Sequence, residues 1–313
     1  MLTNFQQVIE ATRAEPVRKV AVAVAQQDAV LEAVRDAIAE NIAVPLLCGD
    51  QQIITEKAAA VGLDLADIEV VHEPDNLKAT AAAVLAVREG RADMLMKGHI
   101  HTDDFLRAIL DKERGLRTGV IMSHVFILET TARGKLTFVT DGAMNIAPDL
   151  VTKADIIMNA VYLANVFDLE CPNVGILAAV ELVNPKMPAT IDAAALAMMA
   201  RRGQFPDCCV DGPFALDNAV DVLAAEVKGI QSEIGGLADI LVCPSIEAGN
   251  ILTKTFAFLG GGNVAGVLVG AQAPVVLTSR ADNARAKLYS IATAALTVNM
   301  TRSGRLKVGK VHY

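Results

Sequence analysis

The chain has 313 residues, 53% of them hydrophobic and only 4% aromatic, with no tryptophan and a formal net charge of −8. That length suits two ordinary domains or one large one, and a pI near 5.2 with no long basic run argues against nucleic acid as the main ligand. Mean hydropathy is +0.39, yet no run of about 18 apolar residues occurs and no secretory leader is read, so neither a membrane nor export is expected and the cytoplasm is the expected location.

From Arg18 the chain alternates strand and helix signals. RKVAVAVA, residues 18–25, reads as a strand, and Asp28 as the cap of a helix with Val30, Leu31, Val34 and Ile38 on one face. Val44 to Leu47 is a second strand ending at Gly49 and Asp50. Ile68 to Val71 is a third, followed by a helix from Asn76 to Glu89 that Gly90 stops. Asp93 to Met96 makes another strand, and Thr102 caps a helix containing Phe105, Leu106 and Ile109. Val120 to Leu128 and Leu136 to Val139 are strand-rich with no helix between them, as a hairpin-like or extended connection would be.

From Ala147 the rhythm resumes. Helices are expected at 149–167, 189–202, 215–227, 248–258 and from 281, with strands at 174–180, 207–210, 239–243, 264–269 and 274–278. Repeated βα units imply a mostly parallel sheet covered on both faces. The irregular stretch 130–148 is the expected crossing into a second α/β domain. Five cysteines (Cys48, Cys171, Cys208, Cys209 and Cys243) form no CxxC pair and no metal-ligand spacing, so reduced, buried thiols are the default reading. The tail with Arg302, Arg305, Lys307 and Lys310 reads as a solvated or subunit-contacting end.

Each candidate site falls just after a strand, where an open α/β sheet places its ligands. Lys97, Gly98, His99, His101 and Thr102 follow DMLM, with Arg107 farther into the next helix. Gly98 permits close backbone approach, and Lys97 and Arg107 are placed to hold a phosphate. The two histidines lack a Cys or acidic companion at a recognised spacing, so no metal is expected there. In TDGAMNIAP, Asp141, Gly142 and Asn145 form a tight polar turn, readable either as structure or as a ligand contact. Glu181, Asn184, Pro185 and Lys186 leave the strand VGILAAV. Asp217 and Asp221 stand one turn apart, as a metal-binding pair or, by preference, as acids favouring a helix start. Glu247, Asn250 and Lys254 in PSIEAGNILTK share one helix face, and the glycines at 260–262 lack a P-loop pattern. Finally, PVVLTSRADNARAKLYS places Ser279, Arg280 and Asp282 directly after a short buried strand. A hydroxyl, a guanidinium and a carboxylate at that junction suit phosphate and acyl chemistry; the plainer reading is that Ser279 or Asp282 caps the helix.

Taken together, KGHIHTDDFLRAIL, TDGAMNIAPDL, AAVELVNPKMPATIDAAAL, VDGPFALDNAV, ADILVCPSIEAGNILTK and VVLTSRADNARAKLYSIA resemble the phosphate acetyl/butyryltransferase family, from Val20 to Leu296. VNPKMPAT, VDGPFALDNA and LTSRAD look more like its butyryltransferase branch. The resemblance implies an α/β fold of two α/β/α domains with mostly parallel sheets and an interdomain cleft, related to isocitrate and isopropylmalate dehydrogenases. Residues 1–135 with 272–313 would form the first domain and 136–271 the second. It implies reversible transfer of a short-chain acyl group, butyryl preferred and acetyl the alternative, between coenzyme A and inorganic phosphate. No permanently bound cofactor is implied, and a homodimer or higher homo-oligomer is. The rival enzyme class is a metal- and NAD-dependent decarboxylating dehydrogenase, raised by the fold kinship and by Asp217 with Asp221; a ligand-binding module without activity is the third reading.

By resemblance, Ser279 and Arg280 match the Ser-Arg pair of the reacting centre, and Arg107 matches a family arginine that would bind phosphate. Lys97, His101, Thr102, Asp141, Asn145, Glu247, Asn250 and Lys254 are the further substrate-binding candidates. The acetyltransferase branch carries an acid about two helical turns beyond its Ser, where this chain has Ala286. Asp282, the nearest carboxylate, is therefore the provisional base, with Glu247 in reserve.

Overall fold

The computed structural model describes residues 1–130, 132–305 and 310–312, in two compact units. The first unit comprises Phe5–Val120 and Ala265–Arg305; the second comprises Met1–Asn4, Ile121–Val264 and the described part of Leu306–Tyr313. Chain order in the first unit runs α1 (Phe5–Arg13), β1 (Arg18–Ala23), α2 (Asp28–Ala39), β2 (Ala43–Gly49), α3 (Gln51–Val61), β3 (Glu69–His72), α4 (Asn76–Arg88), β4 (Met94–Lys97) and α5 (Thr102–Ile109). The second unit begins with β5 (Ser123–Glu129), β6 (Leu136–Thr140), α6 (Leu150–Val166), β7 (Asn173–Leu177) and α7 (Pro188–Arg201). It continues with β8 (Cys209–Phe214), α8 (Leu216–Val220), α9 (Val222–Val227), β9 (Ile240–Val242) and α10 (Ile246–Phe258). The chain then returns through β10 (Asn263–Val269) to β11 (Val275–Val276) and α11 (Ala284–Arg302).

Within the first unit the strand order is β3-β2-β1-β4-β11-β10, with only β10 antiparallel to its neighbour β11. All four residues of β4 and four of six in β1 are buried, the near-continuous apolar run that a sheet covered on both faces demands. Helix α11 is buried along most of its length, from Lys287 to Asn299. It packs against α1 and α2, and Phe5 stacks on Tyr289 with ring centroids 4.4 Å apart. The second unit orders its strands β5-β6-β9-β7-β8, and only β5 and β6 run antiparallel. Its core gathers Leu128, Val139, Leu177, Phe214, Ile234 and Leu241. Among the described residues, no helix is long and apolar enough to cross a membrane.

Of the hairpin-like or extended connection expected at 120–139, the hairpin is what is present, as the antiparallel β5–β6 pair. Because β5 pairs with β6, it travels with the second unit, whose first long segment starts at Ile121 where the sequence reading placed the crossing at 136. Several local expectations differ. Helices α1 and α3 were not anticipated; α3 buries only Ile54 and Ala58, too short an apolar stripe to signal itself. Its ends are nonetheless marked, by Asp50 accepting from the Gln52 and Ile53 amides and by Gly62 at φ 72°. The expected helix 215–227 breaks at Asp221, which is extended and accepts from the Ala224 amide at 2.7 Å to start α9. Asp28 is the first residue of α2, not its cap, and pairs with Lys57 at 2.8 Å. In the basic tail, Arg302 pairs with Asp93 and Arg305 with Glu15, so both fold back on the first unit; Lys307 lies outside the described residues.

Phe5 is fully buried against α11. Phe5→Ala is expected to cost about 3–5 kcal/mol of stability, the usual range for a buried aromatic. Urea unfolding of the two proteins checks this, and a loss below about 1 kcal/mol would mean the site collapses without a cavity.

Candidate active site

Three parallel strands of the first unit end side by side. Lys97, the last residue of β4, pairs with Ala23 of β1, and Met96 pairs with Val276 of β11. Beyond them the Gly98 amide donates to the Ala23 carbonyl at 2.9 Å and the His99 amide to the Val24 carbonyl at 2.8 Å. A Cβ on Gly98 would lie 2.2 Å from the Val24 oxygen, so only glycine lets the chain pass this close and turn toward α5. His101, not Thr102, occupies the cap position of α5, and its side chain makes no cap bond.

The segment after β11 is a tight loop, not a helix start. Asn283 is the helix cap, accepting from the Ala286 amide at 2.9 Å, which frees Ser279 and Asp282 from that role. Asp282 instead closes the loop: its Oδ2 accepts from the Ser279 amide at 2.7 Å, and its own amide donates to the Ser279 carbonyl at 3.1 Å. From below, Lys287 Nζ donates to the carbonyls of Ser279 at 2.8 Å and Asp282 at 3.0 Å. From the side, Gln27 Nε2 donates to the Arg280 carbonyl at 2.8 Å, and Arg280 Nη2 lies 3.4 Å from His101 Nδ1. Ser279 and Arg280 are themselves exposed. The loop is thus fixed through its backbone while its hydroxyl and guanidinium face outward.

Two buried lysines underlie this loop, Lys97 at 2% exposure and Lys287 at 1%. Lys287 was missed in the sequence, although a lone lysine shortly after the Asn283 cap and before the run LYSIATAAL is a visible signal. Burial holds its ammonium below the usual lysine range, opposed by Asp282. Lys97 differs: among the described residues its Nζ has no hydrogen-bond or ion-pair partner. Burial first, then Arg280 and Lys287, push it down to about 8 against the pull of Asp282. His99 is lowered by burial and then by Arg280, Lys97, Lys57 and His101, neighbours that disfavour its charged form. Arg107 is exposed and pairs with Asp104 of its own helix at 2.8 Å.

In the second unit, Asp141 is buried and fully engaged. Its Oδ1 accepts from the amides of Ala143 at 2.9 Å and Met144 at 3.0 Å, and its Oδ2 from Asn145 Nδ2 at 2.7 Å. Asn145 Nδ2 also donates to the Met122 carbonyl at 2.9 Å, so the pair holds the turn together. Helix α10 presses on that turn: a Cβ on Gly249 would lie 2.5 Å from the Asp141 carbonyl oxygen, and Asn250 Nδ2 donates to the Gly142 carbonyl at 3.0 Å. Glu247 and Lys254 are exposed, and a hydrogen bond from Ser245 keeps Glu247 below the usual carboxylate range.

The other clusters have structural work. Lys228 lies 2.9 Å from Asp217 and 3.6 Å from Glu181, and Asn184 receives the Lys186 amide in the turn before α7. Asp217 and Asp221 therefore do not face one another as a pair, the first bound to Lys228 and the second capping α9. Among the described residues, no group of three or more His, Cys, Asp or Glu could hold a metal ion. Cys48 and Cys243 are buried as expected; Cys171 and Cys209 are exposed.

The family model described as phosphate acetyl/butaryl transferase matches residues 4–80 and 69–295. The chain belongs to the phosphate acetyl/butyryl transferase family. It is 48% identical to a phosphate butyryltransferase from Clostridium acetobutylicum, over 95% of this chain and 98% of that one. It is 42% identical to a phosphate acetyltransferase from Rhizobium meliloti, over 97% and 96% of the two chains. A solved branched-chain phosphotransacylase from Enterococcus faecalis is 34% identical, with a TM-score of 0.79, covering 90% of this chain and 99% of that one.

Replacing Lys287 by Met leaves the Ser279 and Asp282 carbonyls without their buried donor. A loss of about 1–3 kcal/mol in stability is expected, together with a fall in family activity although Lys287 reaches no solvent-exposed surface. Thermal unfolding and turnover measured on the same preparation check both; wild-type turnover in a destabilised variant would show that the loop does not need this anchor.

Proposed function

We propose that this phosphate acyltransferase moves a short-chain acyl group, butyryl by preference, reversibly between coenzyme A and inorganic phosphate within one ternary complex. The observation that carries the reading is the Ser279–Arg280 pair, backbone-fixed and outward-facing at a strand end, in a chain of this family. In the direction that consumes CoA, the thiol loses a proton and attacks the carbonyl of an acyl phosphate. A free thiol with a pKa near ~8.5 is only slightly ionised at neutral pH, so a nearby base helps. Ser279 Oγ hydrogen-bonds the sulfur or the carbonyl oxygen. Arg280 spans two oxygens of the phosphate or meets the tetrahedral oxyanion, work that its planar fork performs better than a lysine.

Arg107 is the second phosphate ligand in this reading. Its exposed pairing with Asp104 is of a kind worth at most about 1 kcal/mol, so a phosphate dianion can displace it. Lys97, His101 and Thr102 are the further proposed substrate contacts of the first unit, and Glu247, Asn250 and Lys254 on α10 those of the second, carried by the turn that Asp141 and Asn145 hold together. Transfer is direct. Burial pushes the thiols of Cys48, Cys208 and Cys243 up to about 12, the wrong direction for a nucleophile at neutral pH. A homodimer or higher homo-oligomer in the cytoplasm, and fold kinship with isocitrate and isopropylmalate dehydrogenases, belong to the same proposal.

Butyryl-CoA with phosphate should release free thiol in the presence of a chelator and without a nicotinamide; dependence on a divalent ion would favour the dehydrogenase reading. Rates across acyl-CoAs from acetyl to octanoyl fix the chain length, which pocket volume sets at ~1–3 kcal/mol per methylene. Arg280→Lys keeps the charge but loses the fork, and is expected to slow turnover about 10²–10³-fold. Arg107→Ala should mainly raise KM for phosphate. Near-normal kcat in a folded Arg280→Ala protein would move the reacting centre elsewhere.

A further inference from the structure

Family resemblance leaves the proton acceptor open, because Ala286 offers no titratable group where the acetyltransferase branch has an acid. The groups around the loop differ sharply in how far they are already committed. Asp282 Oδ2 holds the Ser279 amide at 2.7 Å, so protonating it would loosen the loop that presents Ser279 and Arg280. Lys287 Nζ is spent on two carbonyls. Lys97 is as buried as Lys287 yet has no acceptor and no ion-pair partner among the described residues. It also stands at the right place: Met96 pairs with Val276, so Lys97 ends β4 beside the stretch of chain that leads from β11 into Ser279.

We propose that Lys97 is the acid–base residue of the reaction, its neutral amine taking the proton from the CoA sulfur and its ammonium returning that proton to the departing phosphate. The inference rests on the acyl-transfer reading of this site. The charged and titratable groups facing Lys97 are Arg280 and Asp282 from the loop and Lys287 from α11, with His99 and His101 on the turn that follows β4. Cations outnumber the single carboxylate, and a buried ammonium in such company gives up its proton readily. Burial, Arg280 and Lys287 bring it to about 8, near the working range of a cytoplasmic base.

The step balances without any further reactant. The S–H bond breaks toward Nζ, the S–C bond forms, the acyl C–O bond breaks, and the leaving phosphate oxygen takes the proton from Nζ. In reverse, hydrogen phosphate gives its proton to Nζ as it attacks the thioester, and the departing thiolate collects it. Lys97 begins and ends neutral in both directions, so both require the deprotonated amine.

The test is the pH dependence of butyryl-CoA phosphorolysis, from about pH 7 to about pH 10, a direction in which no free thiol is a reactant. Wild-type kcat/KM should rise through a limb at about 8 and then level off. Lys97→Met should abolish that limb and lower kcat about 10²–10⁴-fold. Lys97→Arg keeps the charge but holds its proton throughout this range, so it should lose as much, whereas a lysine that only attracts anions would tolerate the change. Added methylamine should partly restore Lys97→Ala. Asp282→Asn, scanned down to about pH 5, should keep the limb at a lower rate but move it below about 8, because the carboxylate that raised Lys97 is gone, and serves if the Lys97 variants fail to fold. Loss of the limb in Asp282→Asn would hand the role to the carboxylate. Turnover within a few-fold of wild type in Lys97→Arg would overturn the proposal outright. Absence of phosphate-dependent thiol release from every acyl-CoA by the wild-type enzyme would instead fell the acyl-transfer reading, and this inference with it.

Discussion

One buried ammonium fixes the geometry on which the candidate site depends. Lys287 is the one buried charged residue of α11 among the described residues, and it reaches back to the carbonyls of Ser279 and Asp282. Leaving water is costly for such a charge unless its three donors are used, and here two carbonyls take two of them while Thr278 Oγ1 lies 3.5 Å from Nζ. The consequence runs outward. With both ends of the loop held from below and Asp282 closing it from within, the peptide of Arg280 is latched by Gln27. The two exposed side chains make only long contacts among the described residues, Ser279 Oγ accepting from the Ala281 amide at 3.3 Å and Arg280 Nη2 lying 3.4 Å from His101 Nδ1. Preorganisation of this kind costs nothing at the moment charge develops in a transition state, which is where a fixed guanidinium is worth most.

The fold supplies the platform by ending three parallel strands together. Strands β1, β4 and β11 deliver Val24, Lys97 and Thr278 to one edge, and Gly98 allows the chain to brush past the Val24 carbonyl before α5 begins. The second unit makes its candidate surface by a different route. There the polar side chains, Asp141 and Asn145, are consumed in holding a turn, and the close approach of Gly249 lets α10 rest on it. One edge thus keeps its reactive groups free by fixing backbone, while the other spends its polar groups to shape a surface from which Glu247 and Lys254 project.

Much of this was legible in the chain. The βα alternation, the mostly parallel sheets and the β5–β6 hairpin follow from buried apolar runs and their spacing, and the site segments announce themselves as polar residues directly after strands. What escaped reading has definite causes. Helix α3 carries good end signals in Asp50 and Gly62 but too little buried surface between them. The cap positions slipped by a residue or more at α2, α5 and α11: Asp28 pairs with Lys57, Asp282 closes its own loop on the Ser279 amide, and α5 starts after His101 without a side-chain cap. Asp221 broke an expected helix because its own side chain preferred to start a new one. Arg107 illustrates the opposite limit: its position on α5 follows from the pattern, but its partner, Asp104, is a choice among neighbours that only geometry makes.

Lys97 and Lys287 show how one environment can yield two roles. Both are nearly excluded from water and both lie against the same loop, so desolvation alone disfavours the charged form of each. Lys287 donates to two carbonyl oxygens that favour its charged form, and the loop depends on them. Lys97 has no such acceptors, and it feels Lys287 and Arg280 as like charges. The second lysine therefore does more than anchor the loop: as a like charge beside the first, it lowers the affinity of Lys97 for its proton. Pairs of titratable groups whose surroundings drive their proton affinities apart are the usual source of acid–base function in a site. By this proposal, the division of labour between two lysines supplies a proton carrier in a chain whose Ala286 offers none.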